Sequence, residues 1–374
     1  MSTMISLGGL RGLGAASTPL ALLLAVALGC GCDAFDDSLL PEGASVELRR
    51  PPERPGIADG PDAHGVIYFA LKEPLLNQAG DVWRSVGFDL DGLDSQSPDP
   101  IVECLPARPS AAVETDGEQG IDNAFGHSLF PVVELAVENL DVIAAESQAA
   151  GIGSILVALR GWNGEDDDPT VHITIAQSVF AVAANADGSM PEVTVDGFDP
   201  LVGGLPAPPP IWDGRDWFWI REQSFVTGDP DLPHIVDDNA YIRDRQLVIR
   251  LPDRVDIILP GLNEGLLVRL TGGVASGRIS EDLTRLETVT VGGRWSINDM
   301  LETARAIGVC PDGDVYRVVA RQIDATADVR SAPDTGGPDV LCDAVSIGVT
   351  FQGYRANWAA LVPGQPLVDL CTAP

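Results

Sequence analysis

The sequence predicts a mainly β protein, a β-sandwich-like body carrying two helices. Two observations carry that reading. From Ala240 to Val291 the chain alternates short apolar runs with turn residues: Leu247 to Leu251, Val255 to Leu259, Leu266 to Leu270 and Leu286 to Val291. Short strands at such spacing point to a sandwich or a barrel rather than to βαβ units. Only two stretches, 131–150 and 297–307, combine helical periodicity with start and stop signals.

The chain has 374 residues and is 45% hydrophobic, enough to bury one large core or two ordinary ones. Its formal charge is −32. Nucleic acid is excluded as a partner on that ground, because its binding rests on Lys and Arg neutralising phosphates.

The first residues resemble an export signal. Pro19 to Leu28 is almost purely apolar but too short to span a bilayer. It runs into Ala27-Leu28-Gly29-Cys30, which resembles a bacterial lipobox, with Ala27 in place of the usual leucine. Residues 1–29 are therefore expected to be a lipoprotein signal peptide, and Cys30 the lipidated first residue of an outer-membrane or cell-surface protein. A cut before Cys32 has poorer flanks. Residues 30–65 carry Pro41, Pro51, Pro52, Pro55 and Pro61 among acids and glycines. Too little apolar surface is present to offset ordering entropy, so this segment is expected to be a disordered tether.

The body divides into two β-rich regions, 66–202 and 203–374, each with one helix, around a proline-rich break at Gly203 to Pro210. Whether they form one domain or two stays open. Val66 to Leu71 and Trp83 to Leu90 are expected strands. In 131–150, Val133, Ala136, Val137, Leu140 and Ala144 share a face; Pro131 suits the first turn and Gly151 a left-handed stop. Ser154 to Leu159 and Val171 to Ile175 follow as strands. Ahead of 297–307, Ser296 and Asp299 form a variant capping box. Tyr316 to Ile323 and the strictly alternating Val345 to Phe351 are expected strands.

Four cysteines remain in the body, and four allow three connectivities. The favoured pairs are Cys310–Cys342 and Cys104–Cys371. No C-x-x-C pair is present and no His lies close to a Cys, so zinc is not expected.

The densest set of oxygen ligands is Val86 to Gly126. Two acidic, glycine-punctuated turns, 89–94 and 116–123, bracket Cys104. Asp89, Asp91, Asp94, Asp116, Asp122 and Asn123 would suit calcium, which takes several carboxylate and carbonyl oxygens. The spacing is not an EF-hand: Gly92 stands fourth from Asp89, and Pro100 occupies the twelfth position. The same residues would otherwise cap turns through their own backbone.

Gly126-His127-Ser128-Leu129-Phe130 approaches the nucleophile-elbow pattern, but Phe130 stands where the strained turn requires Gly. Ser128 fits the cap region of the first helix better. Trp212, Trp217 and Trp219 lie among Asp213, Arg215 and Asp216. Aromatic faces stack sugars and paired carboxylates cleave them, although core aromatics on a strand explain the window as well. The histidines show no metal spacing, and no nucleotide-binding loop is present.

Taken together, the lipobox, the GFDLDG and GIDNAFG turns, the Gly-Arg-Trp-Ser start of the second helix and the CDAVSIGVTF strand resemble the uncharacterised exported lipoproteins common in myxobacteria. The resemblance covers about Gly87 to Ala356 and implies an envelope location and a β-rich body, with no catalytic residues. The expected function is a non-enzymatic envelope lipoprotein that binds a ligand or envelope component, with calcium as its one cofactor. The alternative is a surface glycan-binding or glycan-cleaving protein centred on Trp212, Trp217 and Trp219.

Overall fold

The computed structural model describes residues 48–96, 100–108, 111–136, 139–193, 208–259, 266–364 and 369–371. The expected signal peptide, Cys30 and the first part of the expected tether lie outside them, as do residues 203–207 of the expected break.

Eleven strands are present among the described residues: β1 (Ile67–Lys72), β2 (Ile155–Arg160), β3 (Asp168–Val182), β4 (Trp217–Arg221), β5 (Ile235–Arg243), β6 (Gln246–Arg250), β7 (Val255–Leu259), β8 (Leu266–Ile279), β9 (Arg285–Ser296), β10 (Ala344–Arg355) and β11 (Asn357–Val362). Eight of them close into an antiparallel barrel in the order β3-β2-β1-β10-β9-β8-β6-β5, with β5 pairing back onto β3. The fold is thus a barrel, not the expected sandwich. Closure depends on the longest strand. Residues 168–177 of β3 pair with β2 on one side and β5 on the other, while its end runs past the barrel to pair with β4. β11 then adds parallel to β4, and β7 pairs with β8. Bulges in the β3–β5 and β8–β9 ladders bend the strands enough to close the ring.

Alternate residues of each strand fill the interior. Phe69, Val157, Ile173, Ile242, Leu247, Ile279, Leu286 and Ile347 are all buried, as expected of an eight-stranded barrel whose lumen is just wide enough for side chains. The strictly alternating run in β10 therefore has its cause in barrel packing. Strands from both expected β-rich regions share this one barrel.

Four α-helices accompany it among the described residues: α1 (Phe130–Ala136), α2 (Leu140–Ala149), α3 (Ile297–Ala306) and α4 (Asp314–Thr326). The expected helix 131–150 is two helices. Asn139 takes a left-handed conformation (φ 61°) and redirects the chain into α2. Gly151 ends α2 at φ 84°, as its sequence position suggests. Ser296 caps α3: Asp299 N–H donates to Ser296 Oγ at 3.1 Å, and Asp299 Oδ2 accepts from the Ser296 hydroxyl at 2.7 Å. Tyr316 to Ile323 belongs to α4, not to a strand. Its β-favouring residues mask a helical period in which Val319, Ile323 and Thr326 are buried. Trp83 to Leu90 likewise makes a 3-10 turn (Val82–Ser85) and one isolated bridge, Phe88 to Asp122.

Residues 48–65, expected to hang free, lie against the body. Tyr241 Oη donates to the Pro52 carbonyl at 2.6 Å, Ala63 N–H to the Trp162 carbonyl at 2.9 Å, and the Arg54 guanidinium sits over the Tyr241 ring. Proline-rich text lowers the ordering cost of a strap as readily as it marks a loose one.

Both disulfides differ from the expected pairs. The bonds are Cys104–Cys342 and Cys310–Cys371, with Cα separations of 5.1 and 5.3 Å. A parallel bridge between Leu105 and Leu341 lays Cys104 beside Cys342. Arg305 pairs with Asp369 at 2.7 Å and brings Cys371 to the end of α3.

The acidic turns are seated by glycines of the barrel. A Cβ on Gly348 of β10 would lie 2.4 Å from the Val86 carbonyl oxygen, and one on Gly292 of β9 would lie 2.9 Å from the Phe88 ring. Residues 86–88 thus cross the barrel wall at backbone contact. Gly348→Ala is expected to cost about 1–3 kcal/mol, measured by urea unfolding at constant m-value. An unchanged midpoint would show that this crossing is not tightly seated.

Candidate metal centre

The two acidic turns meet. Asp122 N–H donates to the Phe88 carbonyl at 3.0 Å, and Leu90 N–H donates to Asp122 Oδ2 at 2.6 Å. Gly92 lets the first turn reverse (φ 85°). In consequence one carboxylate oxygen each from Asp89, Asp91 and Asp122 lie within 4.8 Å of one another. Asp116 joins from the second turn, held by Ser95 N–H at 2.6 Å.

Asp91, Asp116 and Asp122 border a small pocket of about 20 Å³. Six carboxylates line it: Asp91, Glu103, Glu114, Asp116, Asp122 and Asp328. Cys104 and Cys342 form part of the same wall. Two cations reach the group. Arg294, 2% exposed, donates to both oxygens of Glu103 at 2.8 Å and to the Leu90 carbonyl at 2.6 Å. Arg50, from the strap, donates to Asp89 Oδ2 at 2.6 Å.

Negative charge exceeds positive in a buried space, and the carboxyls respond. Burial pushes Asp328 up to about 8, helped by the charges of Glu114 and Asp116 against the opposing pull of Ser346. Burial raises Asp91 to about 6, with Asp116, Glu103 and Asp89 adding to it. Asp122 is held well above the ordinary carboxylate range by burial and by Asp91, Asp328 and Asp116. Burial also lifts Asp116. Such a group reaches its low-energy state by taking up protons or by taking up a cation. The donors are all oxygens, since both nearby sulfurs are bonded to each other. That is the chemistry of a hard cation such as calcium, not of zinc.

Of the six residues expected as ligands, Asp89, Asp91, Asp116 and Asp122 come together. Asp94 caps its own turn, accepting from Gln96 N–H at 3.0 Å. Asn123 does not line this pocket. Its amide donates to Gln78 Oε1 at 2.6 Å and the Val86 carbonyl at 2.8 Å, and its Oδ1 accepts from Gly348 N–H at 3.0 Å. It braces the turn from behind. Glu103, Glu114, Asp328 and Arg294 were not legible as members. Glu103 adjoins Cys104, so the correct disulfide would have pointed to it; nothing local marks Asp328.

The tryptophan window is committed to packing. Trp219 is buried and stacks on Phe180 with ring centroids 4.9 Å apart. Trp212 Nε1 donates to the Ala149 carbonyl at 3.0 Å, and the Lys72 ammonium lies 4.9 Å from its ring. Trp217 is half-buried. Asp216 is buried and accepts from Ile211 and Trp212 N–H, while Asp213 pairs with Arg215 at 2.6 Å. Among the described residues, the two carboxylates of this window, Asp213 and Asp216, are both engaged, so the glycan alternative gains nothing from them.

Ser128 does not cap a helix. It lies in a π-helical turn (Phe125–Leu129), and its Oγ donates to Glu114 Oε2 at 2.9 Å. His127 Nδ1 lies 3.0 Å from that same oxygen and 3.3 Å from Ser128 Oγ. A catalytic triad needs serine and acid on opposite ring nitrogens, and here one nitrogen faces both.

No family model matches this chain, and neither the curated proteins nor the solved structures yield a match.

Proposed function

We propose that this chain is a non-enzymatic, exported cell-envelope lipoprotein, anchored through Cys30, whose barrel holds one structural calcium ion. The observation that carries the calcium is the convergence of Asp91, Asp116 and Asp122 on one pocket whose carboxylates outnumber its cations. Asp89 belongs to the same set, its charge shared with Arg50. Two disulfides support an oxidising, extracytoplasmic setting, where bonds of this kind persist. There calcium is available to neutralise the cluster and tie the two turns, the strap and the segment around Cys104 into one rigid end of the barrel. The ion would act as a folding ligand rather than a reagent, and the bound partner of the lipoprotein would be an envelope component.

Isothermal titration of the mature protein with calcium tests the metal. One site per chain is expected, with magnesium binding more weakly because the smaller ion demands tighter octahedral geometry. Absence of binding heat, together with absence of any calcium-induced change in the near-ultraviolet circular dichroism, would overturn it. Membrane fractionation of the Cys30→Ala chain tests the anchor separately: the variant should leave the membrane pellet for the soluble fraction.

A further inference from the structure

A second cavity shares no lining residue with the acidic pocket. The helices α1, α3 and α4 close one end of the barrel over Trp295 and leave a cavity of about 50 Å³. Its lining is apolar and includes Phe125, Leu129, Met300, Ala304 and Ile323. Val133, Ile307 and Val309 also border it and are only half-buried, so the space opens toward the surface between them.

One polar group on this lining is uncommitted. Trp295 is 3% exposed, and its buried Nε1–H has no hydrogen-bond partner among the described residues. The hydroxyl at the cavity is engaged: Thr303 Oγ1 bonds to the Leu267 carbonyl at 2.7 Å and the Asp299 carbonyl at 3.0 Å. Leaving a buried donor unsatisfied carries a desolvation penalty that native structures seldom tolerate. A bound water is a poor remedy, since an ordered water needs roughly two to four polar partners and this lining offers chiefly one.

We propose that this cleft binds a small neutral aliphatic molecule with one acceptor oxygen, a ketone, aldehyde, ester or alcohol. Its oxygen accepts from Trp295 Nε1–H, and its chain leaves between Val133, Ile307 and Val309. The volume limits the buried part to a few heavy atoms, being smaller than the roughly 150 Å³ cavity that takes benzene. Charge selects the head group. A carboxylate would enter an apolar space with a single donor and no counter-ion, which is far costlier than burying a neutral carbonyl. The site is independent of the calcium reading, because no residue is shared between the two linings.

The test uses the full chain and saturation-transfer NMR with 2-butanone, butyrate and n-pentane as probes. Butanone should bind, and butyrate should bind at least about tenfold more weakly. Trp295→Phe should weaken butanone about five- to tenfold while leaving pentane unchanged. Ala304→Leu should abolish binding of both by filling the cleft. Val309→Phe, which blocks the mouth instead, stands in if the first variant does not fold. Failure of butanone to bind would overturn the proposal. So would equal butanone affinity in Trp295→Phe, or binding that survives whichever blocked variant folds.

Discussion

Calcium should flatten the pH dependence of this protein's stability. Without the ion, Asp328 and Asp91 are held at about 8 and about 6 in the folded state, against about 3.9 for an unfolded aspartate. Between about pH 4 and 8 the folded chain therefore binds more protons than the unfolded one. By linkage its stability falls as pH rises through that window. The stabilisation is fully present near pH 4 and lost by about pH 8. Asp122 and Asp116 shift in the same direction. Calcium needs the deprotonated forms, so its affinity should rise over the same interval. At a hundredfold excess over Kd it adds about 2.7 kcal/mol, a shift of several degrees in melting temperature. Melting curves from pH 5 to 8, with calcium and then with chelator, measure both slopes. Asp91→Ala should lose the calcium response. By relieving the crowded charge it should also raise the stability of the calcium-free protein at pH 8. A calcium-free melting temperature that climbs from pH 5 to 8 would contradict the crowding. A calcium effect that persists in Asp91→Ala would place the ion elsewhere.

Loss of the Cys104–Cys342 bond should be the more damaging of the two cystine losses, and only it should affect the metal. Each double Cys→Ser variant is expected to cost about 2–5 kcal/mol through released loop entropy. The bonds span 238 and 61 residues, so the longer one carries somewhat more. The wall of the acidic pocket contains Cys104 and Cys342 themselves, and Glu103 beside Cys104 is held by Arg294. Freeing residues 100–108 should therefore lower calcium affinity by about tenfold or more, whereas Cys310→Ser/Cys371→Ser should leave it unchanged. Titration of both variants beside urea unfolding separates the effects. Equal loss of calcium affinity in both would mean that global loosening, not the pocket wall, controls the ion.

Much of the local structure was legible. β1, β2, β6, β7, β9 and β10 each have a short apolar run that alternates or is bounded by turn residues. Ser296 marks the start of α3 by a cap that needs only four consecutive residues. The errors share a cause. Tyr316 to Ile323 is rich in β-favouring residues, yet packing of Val319 and Ile323 against the barrel end makes it helical. The break at Asn139 depends on where α2 must lie rather than on any breaker in the text. Asp89, Asp91, Asp116 and Asp122 come together in space because they sit in two turns that each advertise themselves and that pair through Phe88 and Asp122. Asn123 looked like a ligand because an amide oxygen on an acidic turn is indistinguishable, in sequence, from one that braces a glycine of β10.

By itself the sequence determined the class of the chain: β-rich, strongly acidic, with two oxygen-bearing turns and cysteines in even number. Those properties are set by residue type and by spacings of a few positions, which one chain displays directly. Only the tertiary structure decided that the strands close into a barrel, which cysteines join, and that Asp328 and Glu103 belong with Asp91. Each of these is a meeting of segments from about a dozen to more than two hundred residues apart. Such meetings are settled by the strand order and by backbone contact at Gly292 and Gly348, because register and ring closure are properties of the whole sheet rather than of any strand within it.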